Sequence, residues 1–89
     1  MLEETITLKN RLGLHARAAA KLVHTAAGFE SKVTVTKDGD EVDGKSILGL
    51  LLLAASKGTS LLLRVEGKDE KETLAAVKDL VERRFDESE

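Results

Sequence analysis

Residues 32–43 read KVTVTKDGDEVD, and this stretch decides the fold. Residues 32–36 alternate polar and apolar side chains, which is typical of a half-buried strand. Asp38 and Gly39 form the strongest local signal for a two-residue hairpin turn, and residues 41–43 supply the returning strand. The pattern therefore predicts two antiparallel strands. We expect the strands in the flanking segments to belong to the same antiparallel sheet.

Two more strands and three helices are predicted around this hairpin. Residues 5–8 and 59–66 alternate in the same way, each with one apolar face. Helical spacing of apolar residues begins at Ala16, recurs over residues 47–55 and returns after Asp69. Because each strand has a single apolar face, all the helices must cover the same side of the sheet. We therefore predict an α+β fold, a two-layer open-faced sandwich of order βαββαβα, with three helices on one face of a four-stranded antiparallel sheet.

Capping residues set the predicted ends of the later helices. Ser46 is predicted to cap the second helix at its start, and Gly58 is predicted to end it. Asp69, with Glu72 three residues further on, resembles a capping box for the third helix.

Composition narrows the classes of function. At 89 residues the chain is predicted to form one domain, residues 1–89. The net charge of −2 is interspersed, so no nucleic-acid partner is expected. The aromatic residues, Phe29 and Phe85, lie outside the predicted strands, which argues against RNA binding on the open sheet face. There is no cysteine and no apolar run of membrane-spanning length, and residues 1–5 lack the basic region and apolar stretch that are typical of a signal peptide, so we expect none. We expect a cytoplasmic monomer without membrane insertion, metal or cofactor.

His15 lies where the first helix begins, beside the unsatisfied backbone N–H groups of the next residues. Those groups, the positive end of the helix dipole and the guanidinium of Arg17 all favour an anion at this point. They also disfavour a positive charge on the ring, so we expect an uncharged, nucleophilic imidazole that can accept a phosphoryl group. The alternative is that His15 is merely a polar cap of the helix.

Two stretches resemble known signatures. Residues 13–17, GLHAR, are similar to the active-site signature of the HPr family, the phosphocarriers of the bacterial phosphotransferase system, and residues 44–50, GKSILGL, are similar to its second signature. The resemblance implies that enzyme I, charged by phosphoenolpyruvate, phosphorylates His15 at Nδ1 while Arg17 stabilises the phosphoryl group. It further implies transfer to the IIA domains of sugar permeases, by a phosphohistidine carrier rather than an independent enzyme. The family usually has proline where this chain has Ala18, a change that should loosen the first helical turn by about 0.4–1 kcal/mol.

The second predicted helix carries more apolar residues than one buried face can hold. They fall into two stripes, one of Ile47, Leu48 and Leu51 and the other of Leu50, Leu53 and Ala54. The resemblance implies that the exposed stripe, Ile47, Leu48 and Leu51, docks enzyme I and IIA domains together with Ala16. The alternative is that all these residues belong to the core.

Ser46 has two interpretations. Capping alone would explain a serine at this position. The resemblance implies, in addition, phosphorylation by a dedicated HPr serine kinase/phosphorylase, which would place negative charge beside the docking stripe. A second functional hypothesis is therefore a regulatory binding module, in which phosphorylation of Ser46 or His15 controls docking to a transcription regulator or an enzyme.

Residues 39–46 match the written pattern of a nucleotide-binding P-loop. We reject this reading because Asp40, Glu41 and Asp43 would repel phosphates, and because the hairpin turn already explains Gly39.

Overall fold

The computed structural model describes residues 1–88. Over this range the order of strands and helices is the predicted βαββαβα, followed by a short 3₁₀ turn. The elements are β1 Leu2–Thr7, α1 Ala16–Ala27, β2 Lys32–Lys37, β3 Asp40–Asp43, α2 Ile47–Leu52, β4 Ser60–Glu66, α3 Glu70–Glu82 and the C-terminal turn Arg84–Asp86.

All neighbouring strands pair antiparallel, in the order β1-β4-β2-β3. β4 lies between β1 and β2, with Leu61 opposite Ile6 and Leu63 opposite Val35. These four side chains are buried in one cluster with residues of the helices, which cover this face of the sheet. The predicted open-faced α+β sandwich is confirmed.

The β2–β3 hairpin forms where the sequence predicts it. Asp38 and Gly39 both have positive φ, 48° and 88°, which a tight turn matched to the twist of the strands requires. Residues 40–43 of the P-loop-like string form the extended strand β3, so they cannot wrap around a phosphate.

The predicted end of the second helix is wrong. α2 ends at Leu52 rather than at residue 55, and Ala54 takes a positive φ of 50°. The Nζ atom of Lys37 donates to the carbonyl of Leu53 at 2.9 Å, so a side chain from β2 closes the helix. Gly58 instead donates its N–H to the carbonyl of Leu8 at 2.8 Å, which joins the next turn to the end of β1.

The predicted capping box at Asp69 is also wrong. The Asp69 side chain makes no capping hydrogen bond to α3. Its carboxylate accepts from the backbone N–H groups of Glu30 and Ser31, each at 2.9 Å, and from the hydroxyl of Ser31 at 2.5 Å. The carboxylate therefore ties the start of α3 to the segment between α1 and β2.

The Asp69→Asn substitution should lower stability in a pH-dependent way. The Ser31 hydroxyl and the Glu30 N–H lower the pKa of Asp69 from 3.8 to about 2. A lowered pKa in the folded state means that the ionised carboxylate stabilises the fold above about pH 3.8, and that this contribution is lost as the pH falls through about 2. We expect a melting temperature lower by roughly 5 °C near pH 7.

Thermal unfolding of both proteins over a pH series measures this effect. The difference in melting temperature should narrow as the pH falls from about 4 toward about 2, because the wild-type carboxylate is then protonated. A difference that stays constant over this range would show that the ionised form of Asp69 contributes nothing.

The C-terminal turn completes the core on the helical side. Phe85 is fully buried although it lies beyond α3, and the Nζ atom of Lys21 donates to its carbonyl at 2.6 Å. This contact fastens the end of the described chain to α1. The turn is the one element of the described chain that the alternation and spacing patterns did not predict.

Candidate functional site

His15 is the N-cap residue of α1, and its backbone is extended, with φ −83° and ψ 179°. Its side chain makes no capping hydrogen bond. Its carbonyl accepts the first helical bond, from the N–H of Ala19 at 2.8 Å, so the N–H groups of residues 16–18 have no acceptor inside the helix. The alternative that the imidazole serves as a polar cap is therefore wrong.

The turn before His15 is held against the segment that follows α2. The N–H of Leu14 donates to the carbonyl of Ala55 at 2.9 Å. Gly13 has a φ of +64°, and a Cβ atom there would lie 2.5 Å from that same carbonyl oxygen. Only glycine fits this approach, which brings His15 beside the end of α2.

The imidazole is bound by a carboxylate from the far end of the chain. The Nε2 atom of His15 lies 2.5 Å from Oε2 of Glu87, and the two side chains are 26% and 15% exposed. The Nδ2 atom of the buried Asn10 donates to the other carboxylate oxygen at 2.9 Å and to the carbonyl of Gly13 at 2.7 Å. Glu87 was missed by the sequence analysis because no local pattern links residues 72 positions apart.

Glu87 is held in its ionised form. Partial burial by itself would raise the pKa of Glu87, but the hydrogen bonds from Asn10 and His15, together with the charge of Lys21, outweigh it and lower the pKa. The imidazole of His15 therefore faces a negative charge at Nε2, in addition to the groups that the sequence predicts around it.

An open pocket of about 460 Å³ lies beside the ring. Arg11, Arg17 and Glu87 line it together with His15, so the predicted pair of His15 and Arg17 borders one space. Arg17 is exposed, and within residues 1–88 its guanidinium has no hydrogen bond or ion pair. The guanidinium is thus available to an anion in the pocket.

The α2 helix buries one apolar stripe and exposes the other. Leu50 and Leu53 are buried, whereas the predicted docking stripe of Ile47, Leu48 and Leu51 is exposed. The alternative that all these residues are core is therefore wrong. Ala54 is exposed and does not join the buried stripe, because its positive φ turns the chain away from the helix.

Exposed leucines extend the apolar surface beyond the predicted stripe. Leu52 is 73% exposed on α2, and Leu12 is 64% exposed beside the pocket. Ala16, the remaining predicted docking residue, is also exposed and lines the same pocket.

Ser46 caps α2 as predicted, its Oγ accepting from the N–H of Gly49 at 3.0 Å.

Comparison with known proteins gives one consistent result. A family model described as "PTS HPr component phosphorylation site" matches residues 2–83. The chain belongs to the HPr family. The phosphocarrier protein HPr of Xylella fastidiosa is 51% identical, with 98% of each chain covered, and that of Neisseria meningitidis serogroup A is 49% identical over the full length of both. The crystal structure of HPr-C-His from Thermoanaerobacter tengcongensis matches with a TM-score of 0.96 at 46% identity, covering both chains fully.

Ala18 stands where the resemblance of residues 13–17 to the family signature implies a proline. The side chain is fully buried in the first turn of α1, and the helix still begins at Ala16. The helix therefore starts at this point without a proline in its first turn. The expected loosening of the turn stays a prediction.

Neither a metal cluster nor a membrane-spanning helix is found among the described residues. Within residues 1–88, no three His, Cys, Asp or Glu side chains lie together as a metal site would require. Over the same residues, no helix has both the length and the apolar character needed to cross a bilayer.

Proposed function

We propose that this protein carries a phosphoryl group on His15, accepting it from phosphoenolpyruvate-charged enzyme I and passing it to IIA domains of sugar permeases. One observation carries the proposal: the imidazole lies at the N-cap of α1 without serving as a cap, and it borders an open pocket with Arg17. A ring that does no capping at a helix start is available for chemistry. Membership of the HPr family supports the same role.

The surroundings suit a group that must be bound and then released. Backbone N–H groups at the start of α1 and the guanidinium of Arg17 can both hold phosphoryl oxygens. Nδ1 is the atom proposed to accept the phosphoryl group, because Nε2 already makes a hydrogen bond with Glu87. The lone pair of a neutral imidazole is itself the nucleophile, so no general base is required.

The exposed α2 stripe supports docking of both partners. Ile47, Leu48 and Leu51 face solvent, and α2 packs beside α1, whose first residue is Ala16. A moderate apolar patch next to the reacting group favours brief, reversible contacts, which a carrier with two partners needs.

Regulation at Ser46 is part of the proposal. A phosphate on this N-cap residue would add negative charge beside Ile47 and Leu48 and so weaken docking of enzyme I. A serine kinase/phosphorylase and a transcription regulator are the partners proposed for that form. The comparisons do not favour the alternative that the protein is only a regulatory binding module.

Locating the phosphate tests the proposed function. After incubation with enzyme I and phosphoenolpyruvate, we expect a phosphate that is lost in acid and that mass spectrometry places on His15. Adding a IIA domain should discharge it. Failure to take up phosphate, or uptake at another residue, would overturn the proposal.

A further inference from the structure

We propose that Glu87 is a positioning residue for His15. Its carboxylate holds the proton of the imidazole on Nε2, leaves the Nδ1 lone pair as the acceptor of the phosphoryl group, and pairs with the positive ring that forms on transfer. This inference rests on the proposed function, and it adds a third residue to the pair that the HPr signature supplies.

The contacts give the carboxylate a defined orientation. One oxygen of Glu87 faces Nε2 of His15 at 2.5 Å, while the other accepts from Nδ2 of Asn10 at 2.9 Å. Asn10 is fully buried and also donates to the carbonyl of Gly13, so it is itself fixed. An ionised carboxylate can only accept hydrogen bonds, so the shared proton belongs to the imidazole nitrogen.

The C-terminal turn that positions Glu87 has an unfavourable backbone conformation. Arg84, Phe85 and Asp86 have φ values of 56°, 55° and 62°, in the left-handed region that non-glycine residues rarely adopt. Consecutive residues in this region persist only where surrounding contacts impose it. Here the burial of Phe85 and the hydrogen bond from Lys21 to its carbonyl supply those contacts.

The left-handed turn therefore determines where Glu87 lies relative to the pocket. A chain that left α3 in an extended conformation would carry residue 87 away from the helix end. The left-handed turn instead returns it to α1, where its side chain meets His15.

The transfer step balances without any proton leaving the ring. The Nδ1 lone pair attacks phosphorus and forms the N–P bond, while the bond from phosphorus to the donor breaks and its electron pair leaves with the donor. The ring keeps its Nε2 proton and becomes positively charged, opposite the carboxylate of Glu87. Onward transfer reverses these changes, so the carboxylate stabilises the phosphorylated ring without being consumed.

Two substitutions at Glu87 separate the hydrogen bond from the charge. Glu87→Gln keeps an acceptor oxygen and removes the charge, whereas Glu87→Ala removes both. Glu72→Gln is the matched control, because Glu72 is exposed on α3 and within residues 1–88 it has no hydrogen bond or ion pair. Unfolding curves of all three report any loss of stability caused by a loosened C-terminal turn.

Chemical phosphorylation by phosphoramidate measures the positioning without any partner protein. In the wild type we expect the phosphate on Nδ1, as located by nitrogen and phosphorus NMR. In Glu87→Ala a substantial share should move to Nε2, because that nitrogen is no longer held in its protonated form. Glu87→Gln should remain mostly at Nδ1, and Glu72→Gln should match the wild type.

Phosphorylation by enzyme I provides the second measurement. We expect kcat to fall by about tenfold in Glu87→Ala with little change in KM, since a hydrogen bond to a charged group is lost from the reacting ring and not from the docking stripe. An unchanged nitrogen preference together with an unchanged kcat would overturn the role of Glu87 and show that it only fastens the chain end. The proposed function would survive that result, because it depends on phosphate uptake at His15.

Discussion

In His15→Ala the uptake of acid-labile phosphate from enzyme I is expected to fall by more than about a thousandfold, to background. The substitution removes the proposed nucleophile and leaves the binding groups, Arg17 and the N–H groups of α1, in place. The fold should persist because the ring makes no capping bond and its one described hydrogen bond is with Glu87.

His24→Ala is the matched control for this experiment. His24 lies on the same helix α1, is exposed, and has no described hydrogen bond within residues 1–88. We expect this variant to be labelled like the wild type. Circular dichroism of both variants should match the wild type, and label persisting in folded His15→Ala would end the assignment of His15 as the acceptor.

Among the substitutions proposed for this protein, Phe85→Ala is expected to lower the free energy of unfolding most, by about 3–5 kcal/mol. Phe85 is fully buried, so its removal leaves a cavity between the C-terminal turn and the helices. A loss of this size is a large fraction of the roughly 5–15 kcal/mol that stabilises a domain. Urea unfolding measures it directly.

Phe85→Ala should also change the surroundings of the His15 ring in the candidate site. The Phe85 side chain is one of the two contacts that impose the left-handed turn, and without it the hydrogen bond from Lys21 should not be enough to keep Glu87 against His15. The chemical shifts of the His15 ring should then approach those of Glu87→Ala. Phe29→Ala, at the half-buried second phenylalanine, is the control and should leave these shifts unchanged. A loss below about 1 kcal/mol in Phe85→Ala would show that the turn is not needed for the core.

Much of the architecture could be predicted because its signals are local. Alternation over residues 32–36 and the Asp38-Gly39 turn depend only on neighbours along the chain, and they predicted the hairpin correctly. The N-cap role of Ser46 was predicted for the same reason. The errors fall where a distant group competes with a local pattern: Lys37 binds the carbonyl at the end of α2 before residue 55, and the carboxylate of Asp69 accepts from the N–H of Ser31 instead of capping the backbone of α3.

The candidate site likewise combines residues that the local sequence places together with one residue that only the tertiary structure brings there. His15, Arg17 and the start of α1 belong to one turn of chain, so the amino-acid pattern was enough to place them together. Glu87 meets His15 only because α1 and α3 pack on the same face of the sheet and a left-handed turn, anchored by Phe85, bends the chain back. Local conformation is set by each residue and its neighbours, whereas a contact across 72 positions is decided by how whole elements pack, which no short pattern encodes.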